Sequence, residues 1–185
     1  MNHYIETTKD FVIKNKKWVA IGAAAFVVII VLIAAGIYST TSLKYTYQPV
    51  KSCDLFTPTK AQDLLGDKVI GVDSANPVVN GDVATSKCSY TNGVANNMVV
   101  AAIAVQSPVY DNGVQQNKTN FATAKSNNQV ETVTNVGDSA FFNKVNGQLN
   151  VLSGRNWIIF SYGVGTTPEA NTIDDAVKLA KKVLN

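Results

Sequence analysis

Ala140 to Tyr162 reads AFFNKVNGQLNVLSGRNWIIFSY, three apolar runs separated by two turns. Asn146-Gly147 is a strong short-range hairpin signal, because both residues tolerate the positive φ that tight hairpin turns demand. Leu149 to Leu152 follows it as a strand, and Ser153-Gly154 turns the chain into Trp157–Tyr162, the most hydrophobic strand of the sequence. Such runs joined by tight turns pair antiparallel, since a parallel neighbour needs a long crossover. Upstream, Gly137-Asp138 is a turn that feeds a strand over Ala140 to Val145. Phe141 and Phe142 are adjacent in that strand, so their rings point to opposite faces of the sheet. Neither residue has an assigned partner from the sequence, and one of the two rings is a candidate contact patch.

Working outward, Thr167-Pro168 opens a final helix by supplying a cap and a first-turn proline. Ile173, Ala176, Val177, Ala180, Val183 and Leu184 form its apolar stripe. Toward the N-terminus, Gln129 to Val133 reads as a short strand and Val109 to Asn128 as a polar, exposed helix with Phe121 and Ala124 on one side. Lys87–Thr91 and Asn97–Gln106 read as two strands joined around Asn92-Gly93. Asp67 to Gly81 reads as loop with a short strand near Val78, on the strength of Gly71, Pro77 and Asn80-Gly81. Thr57-Pro58 opens a helix with Ala61, Leu64 and Leu65 on its apolar side, and Gly66 ends it. The expected class is α+β: an antiparallel sheet of about five strands with helices packed on one face, preceded by one transmembrane helix.

That transmembrane helix is Trp18–Tyr38, WVAIGAAAFVVIIVLIAAGIY, which carries no charge. At about 1.5 Å per residue it spans roughly 30 Å, the thickness of a bilayer's hydrocarbon core. Lys9, Lys14, Lys16 and Lys17 precede it, which orients the N-terminus to the cytoplasm and the C-terminal domain outward. A cleaved signal peptide is the rival reading, but its apolar core is normally about 7–15 residues. The organisation expected is a cytoplasmic tail over 1–17, a signal-anchor helix over 18–38, a polar tether over 39–50 and an extracytoplasmic domain over 51–185. The formal net charge of +3 resides mostly in the tail, and the outer domain is close to neutral. A near-neutral domain has little counterion-release drive, so nucleic acid is not an expected partner. The expected partners are the membrane, through the N-terminal helix, and an envelope protein or glycan.

Cys53 and Cys88 are the only cysteines. In an oxidising compartment they most simply form one bridge, the alternative being two buried thiols. His3, in the tail, is the only histidine, so the outer domain lacks the triads, dyads and histidine ligands that carry most hydrolytic and zinc chemistry. No catalytic, cofactor-binding or metal-binding residue is expected, and no cofactor. The acids Asp63, Asp67, Asp174 and Asp175 fall on helices or their ends, leaving a carboxylate-based glycan-acting enzyme or a structural membrane subunit as the alternatives to a binding module. Asp73, Asn76, Asn80 and Asp82 collect oxygen groups suited to calcium, although turns favour the same residues. Asn117-Lys118-Thr119 is a glycosylation sequon.

Cys53 ahead of a helix ending Leu64-Leu65-Gly66, then Cys88 two residues before Tyr90, then Val136-Gly137-Asp138-Ser139-Ala140-Phe141, form a pattern. Over roughly Cys53 to Leu184 it resembles extracytoplasmic lipoprotein and sensor-type domains of unknown function widespread in actinobacteria, some with a PsbP-like α/β fold. The resemblance implies a Cys53–Cys88 bridge and an envelope location, and it brings no activity with it.

Overall fold

The computed structural model describes residues 46–94, 97–127, 129–165 and 170–185. The expected tail, the apolar run 18–38, the first part of the tether and Thr167-Pro168 lie outside the described residues. No helix among the described residues is long and apolar enough to cross a membrane.

Seven strands form one antiparallel sheet: β1 (Ile70–Asn80), β2 (Val83–Thr91), β3 (Val99–Pro108), β4 (Val130–Val133), β5 (Ser139–Asn143), β6 (Gln148–Ser153) and β7 (Asn156–Val164), in the order β1-β2-β3-β7-β6-β5-β4. Among the described residues four helices accompany them: α1 (Ser52–Leu55), α2 (Pro58–Leu65), α3 (Asp111–Lys125) and α4 (Ile173–Leu184). The topology follows from two meanders. Short turns lay β1 to β3 side by side, α3 carries the chain to the opposite edge, and β4 to β7 return until β7 pairs with β3.

Alternation along the central strands separates two faces. Ala101, Ile103 and Val105 of β3, Ile158, Phe160 and Tyr162 of β7, and Leu149 and Val151 of β6 point into the main core. The helices α2 and α4 cover that face, where Phe56 meets Tyr90 edge-on at 5.1 Å between ring centroids. Thr57 caps α2 by accepting from the Lys60 amide, and Thr172 caps α4 by accepting from the Asp175 amide. Leu179 joins the expected buried stripe of α4.

Three features depart from the sequence expectation. The sheet has seven strands rather than about five, because Ile70–Asn80 is a long strand and not a loop. Its register shifts twice, between Gly71 and Asp73 and between Ala75 and Val78, and it sits at the edge with exposed side chains on both sides. No alternation survives such bulges, so nothing in the pattern marks a strand. The second departure is that helices lie on both faces. The α3 helix packs on the face opposite α2 and α4, where Phe121 lies 5.0 Å from the Phe141 ring and 6.2 Å from that of Trp157. Third, the β5–β6 turn spans Lys144 to Gly147, with Asn143 Oδ1 accepting from the Val145 amide at 2.9 Å, so β5 ends before Val145.

The end of the expected tether is part of the domain. The Thr46 and Tyr47 amides both donate to the Val109 carbonyl, at 2.9 and 3.1 Å. The Tyr47 hydroxyl donates to Asp111 Oδ1 at 2.5 Å, while the Arg155 guanidinium stacks 4.3 Å from its ring centroid. Val50 and Ser52 are then stitched to the sheet. Ser107 Oγ accepts from the Val50 amide, and Ser86 Oγ accepts from the Ser52 amide while donating to the Val50 carbonyl. The Cys53–Cys88 disulfide closes this zipper. That bridge points to an oxidising, extracytoplasmic compartment.

Candidate functional site

Both phenylalanines of the expected contact patch are buried. Their rings do point to opposite faces, but Phe142 is 5% exposed in the main core and Phe141 is 1% exposed beneath α3. Neither ring is at the surface, because α3 covers the face that the sequence reading left open. The candidate calcium loop is not a loop either. Asp73 and Asn76 sit in β1, and Asp73 and Asn80 stand on the order of 20 Å apart along it, too far to share an ion. Among the described residues no group of three His, Cys, Asp or Glu side chains is placed to hold a metal.

Several acids have local structural partners. Asp63 forms an ion pair with Lys182. Asp175 accepts from the Thr172 hydroxyl at 2.7 Å within the α4 cap. Asp138 Oδ2 accepts from the Gly154 amide at 2.7 Å, which ties two turns together. Asn117 of the sequon is fully buried, and its Nδ2 donates to the Gln106 and Arg155 carbonyls at 2.9 Å each. Both amide protons are therefore engaged, and a glycan on that nitrogen is incompatible with the folded domain.

What the surface offers instead is a set of exposed aliphatic side chains that no sequence pattern marked. Ile70, Val72, Val94, Val145 and Val164 are 48% to 63% exposed. The strand register places them at one end of the sheet, spread from β1 to the β5–β6 turn, with Ile70 on the face that carries α3 and Val164 on the main-core face. Ile70 is opposite Thr91, Thr91 opposite Val100, Val100 opposite Gly163, and Val99 opposite Val164. Val94 lies in the β2–β3 turn just beyond Thr91, and Val145 lies in the β5–β6 turn at the same end. The chain enters at the other end, where Thr46 meets Val109 beyond the close of β3. At about 3.3 Å per residue the ten residues of β3 separate the two ends by roughly 30 Å.

The turns at that end are firmly built. Asn92 Oδ1 accepts from the Val94 and Val99 amides at 3.2 and 3.0 Å, and the Gly165 amide donates to the Met98 carbonyl at 2.6 Å. Gly93 has φ +68°, and a side chain there would meet Ile70 Cδ1 at 2.7 Å, so the isoleucine lies directly over the glycine. On the main-core face Tyr90 and Tyr162 are buried, and burial raises both phenol pKa values above their ordinary 10. The Tyr162 hydroxyl donates to the Leu64 carbonyl at 2.9 Å. Val72 is the residue that the first bulge leaves without a partner across β2, since Gly71 pairs with Tyr90 and Asp73 with Ser89.

Comparison with known protein families, with characterised proteins and with solved structures finds no match.

Proposed function

We propose that this chain is a membrane-anchored, extracytoplasmic binding module of the cell envelope, which holds a partner without transforming it. The observation that carries the reading is that five exposed aliphatic side chains stand at one end of a disulfide-closed domain. Exposed apolar side chains scattered singly are ordinary, whereas a grouped set costs solubility and marks a contact surface. The apolar run Trp18–Tyr38 supplies the anchor, with the N-terminus cytoplasmic and the domain outside. The resemblance to extracytoplasmic lipoprotein and sensor-type domains agrees with that placement. An envelope protein or glycan is the partner, and a near-neutral domain gives nucleic acid no electrostatic hold.

The test is turnover and binding measured on the same preparation of full-length protein in detergent or nanodiscs. Incubation with envelope extracts is expected to retain a component without changing it. Hydrolysis of an envelope glycan that disappears when one aspartate becomes asparagine would replace this reading with the carboxylate enzyme.

A further inference from the structure

We infer that segment 47–53 and the Cys53–Cys88 bridge form a tension clamp, which passes a pull arriving from the N-terminal side of the chain into the middle of the sheet and spares α1 and α2. This rests on the anchored-module reading, since an anchor on one side and a partner on the other put the connection under pull. The segment lies along the strands of the sheet rather than across them. The Tyr47 amide donates to the Val109 carbonyl, the Val50 amide to Ser107 Oγ, and the Ser52 amide to Ser86 Oγ. Ser86 stands opposite Val105, and Cys88, to which Cys53 is bonded, stands opposite Ile103. From Tyr47 to Cys53 the chain therefore climbs from the level of Val109 to that of Ile103, one strand position per residue, or roughly 20 Å at about 3.3 Å each. A segment that gains one strand position per residue is close to fully extended and has little slack to give. Pro49 stiffens it further by fixing φ.

The bridge decides where the pull goes next. Without it, tension follows the backbone into α1, draws out Phe56 and Ala61, which are 0% exposed in the core, and reaches the sheet only at Ile70. With it, the covalent path enters β2 at Cys88. That strand pairs with β1 on one side and with β3 on the other, from Val83 opposite Pro108 to Thr91 opposite Val100. The pull runs along the strand axis, so the ladder bonds on both sides of β2 share it and must fail together. A helix drawn out from its end instead releases one turn at a time. The hydrogen bonds of the segment itself are loaded ahead of the bridge, from the Tyr47 hydroxyl on Asp111 Oδ1 to the Ser86 hydroxyl on the Val50 carbonyl. They yield first, and their loss frees at most the chain before Cys53.

The experiment pulls the full-length protein, held in a nanodisc through its N-terminal run, by a bioorthogonal handle at Val145. That residue is 63% exposed in the β5–β6 turn, at the end opposite the entry of the chain. Magnetic tweezers read the length released at each force. The oxidised parent is expected to give no more than about 25 Å of chain before the sheet opens, at about 3.5 Å per residue. Cys53→Ser/Cys88→Ser is expected to release the chain through Leu65 first, roughly 70 Å on the same scale, at a force below the one that opens the sheet. Reductant added to the parent held at that lower force is expected to convert the first behaviour into the second, which decides the matter even for a double variant that fails to fold. Release through Leu65 in the oxidised parent, or the same traces from oxidised and reduced chains, would overturn the clamp. Withdrawal of the chain from the disc before any release overturns the anchored reading instead. Pulling between Val145 and a second handle at Thr41 then decides the clamp by the same two lengths.

Discussion

Asn117 shows how a single residue can be misread from a motif. In sequence it is a glycosylation sequon, yet in the fold it is a polar bolt between α3, β3 and the β6–β7 turn. Replacing Asn117 with Ala removes both donors from two partly buried carbonyls, which is expected to cost about 2 kcal/mol. Urea unfolding checks this through a lower midpoint at unchanged slope. Tyr47 carries a second residue-scale prediction. Its hydrogen bond to Asp111, with smaller help from desolvation and the aspartate charge, raises its pKa above 10. A group whose folded pKa is raised gives stability that is complete below the unfolded value and lost as pH rises through the folded one. The latch is therefore expected to be insensitive to pH up to about 10 and to weaken above it. Alkaline titration of Tyr47→Phe beside the parent, followed by Tyr absorbance and circular dichroism, measures the difference. A parent that loosens between pH 6 and 8 would contradict this account.

At the scale of elements, most of the sheet was legible because each signal had one physical cause. Ala140–Tyr162 is broken by tight turns into apolar runs as antiparallel strands must be, and Thr57-Pro58 and Gly66 bracket α2 as capping chemistry requires. What stayed hidden was β1, whose Asp73, Asn76 and Pro77 resemble loop residues and whose bulges erase the period of two. Also hidden was the placement of α3, a weakly amphipathic helix with Phe121 as its main buried ring. A signal for it did exist: Phe141-Phe142 and Trp157–Phe160 are apolar on consecutive residues, and a strand apolar on both sides is covered on both sides. The disulfide stabilises this level of the structure. It joins residues 35 apart, so its loss in Cys53→Ser/Cys88→Ser is expected to cost about 4 kcal/mol on the chain-entropy account. Denaturant midpoints of the two proteins check the figure. Because Val50 and Ser52 are also held by Ser86 and Ser107, the double variant is expected to keep its secondary structure in the absence of denaturant.

For the whole molecule, the polarity of the domain is the feature that matters for function. One end receives the chain through Thr46, Tyr47 and Asp111, and the other shows aliphatic side chains to its surroundings. No sequence pattern reveals that division, because Ile70, Val94, Val145 and Val164 come from four separate segments that only the strand register brings to one end of the sheet. The zipper from Thr46 to Cys53 also joins the connecting segment to the sheet, so it moves with the domain rather than as a free string. Shortening the connection within 46–50 is accordingly expected to destabilise the domain itself, detectable as a lower Tm. The reading depends above all on the domain standing outside a membrane that holds the chain. The direct measurement is protease shaving of intact cells stripped of their wall, followed by carbonate extraction and detection of an N-terminal tag. The account predicts that external protease removes the domain while the tagged N-terminal fragment stays protected and remains with the membrane pellet. A full-length chain untouched until the cells are lysed, or one that leaves the pellet in carbonate, would contradict it.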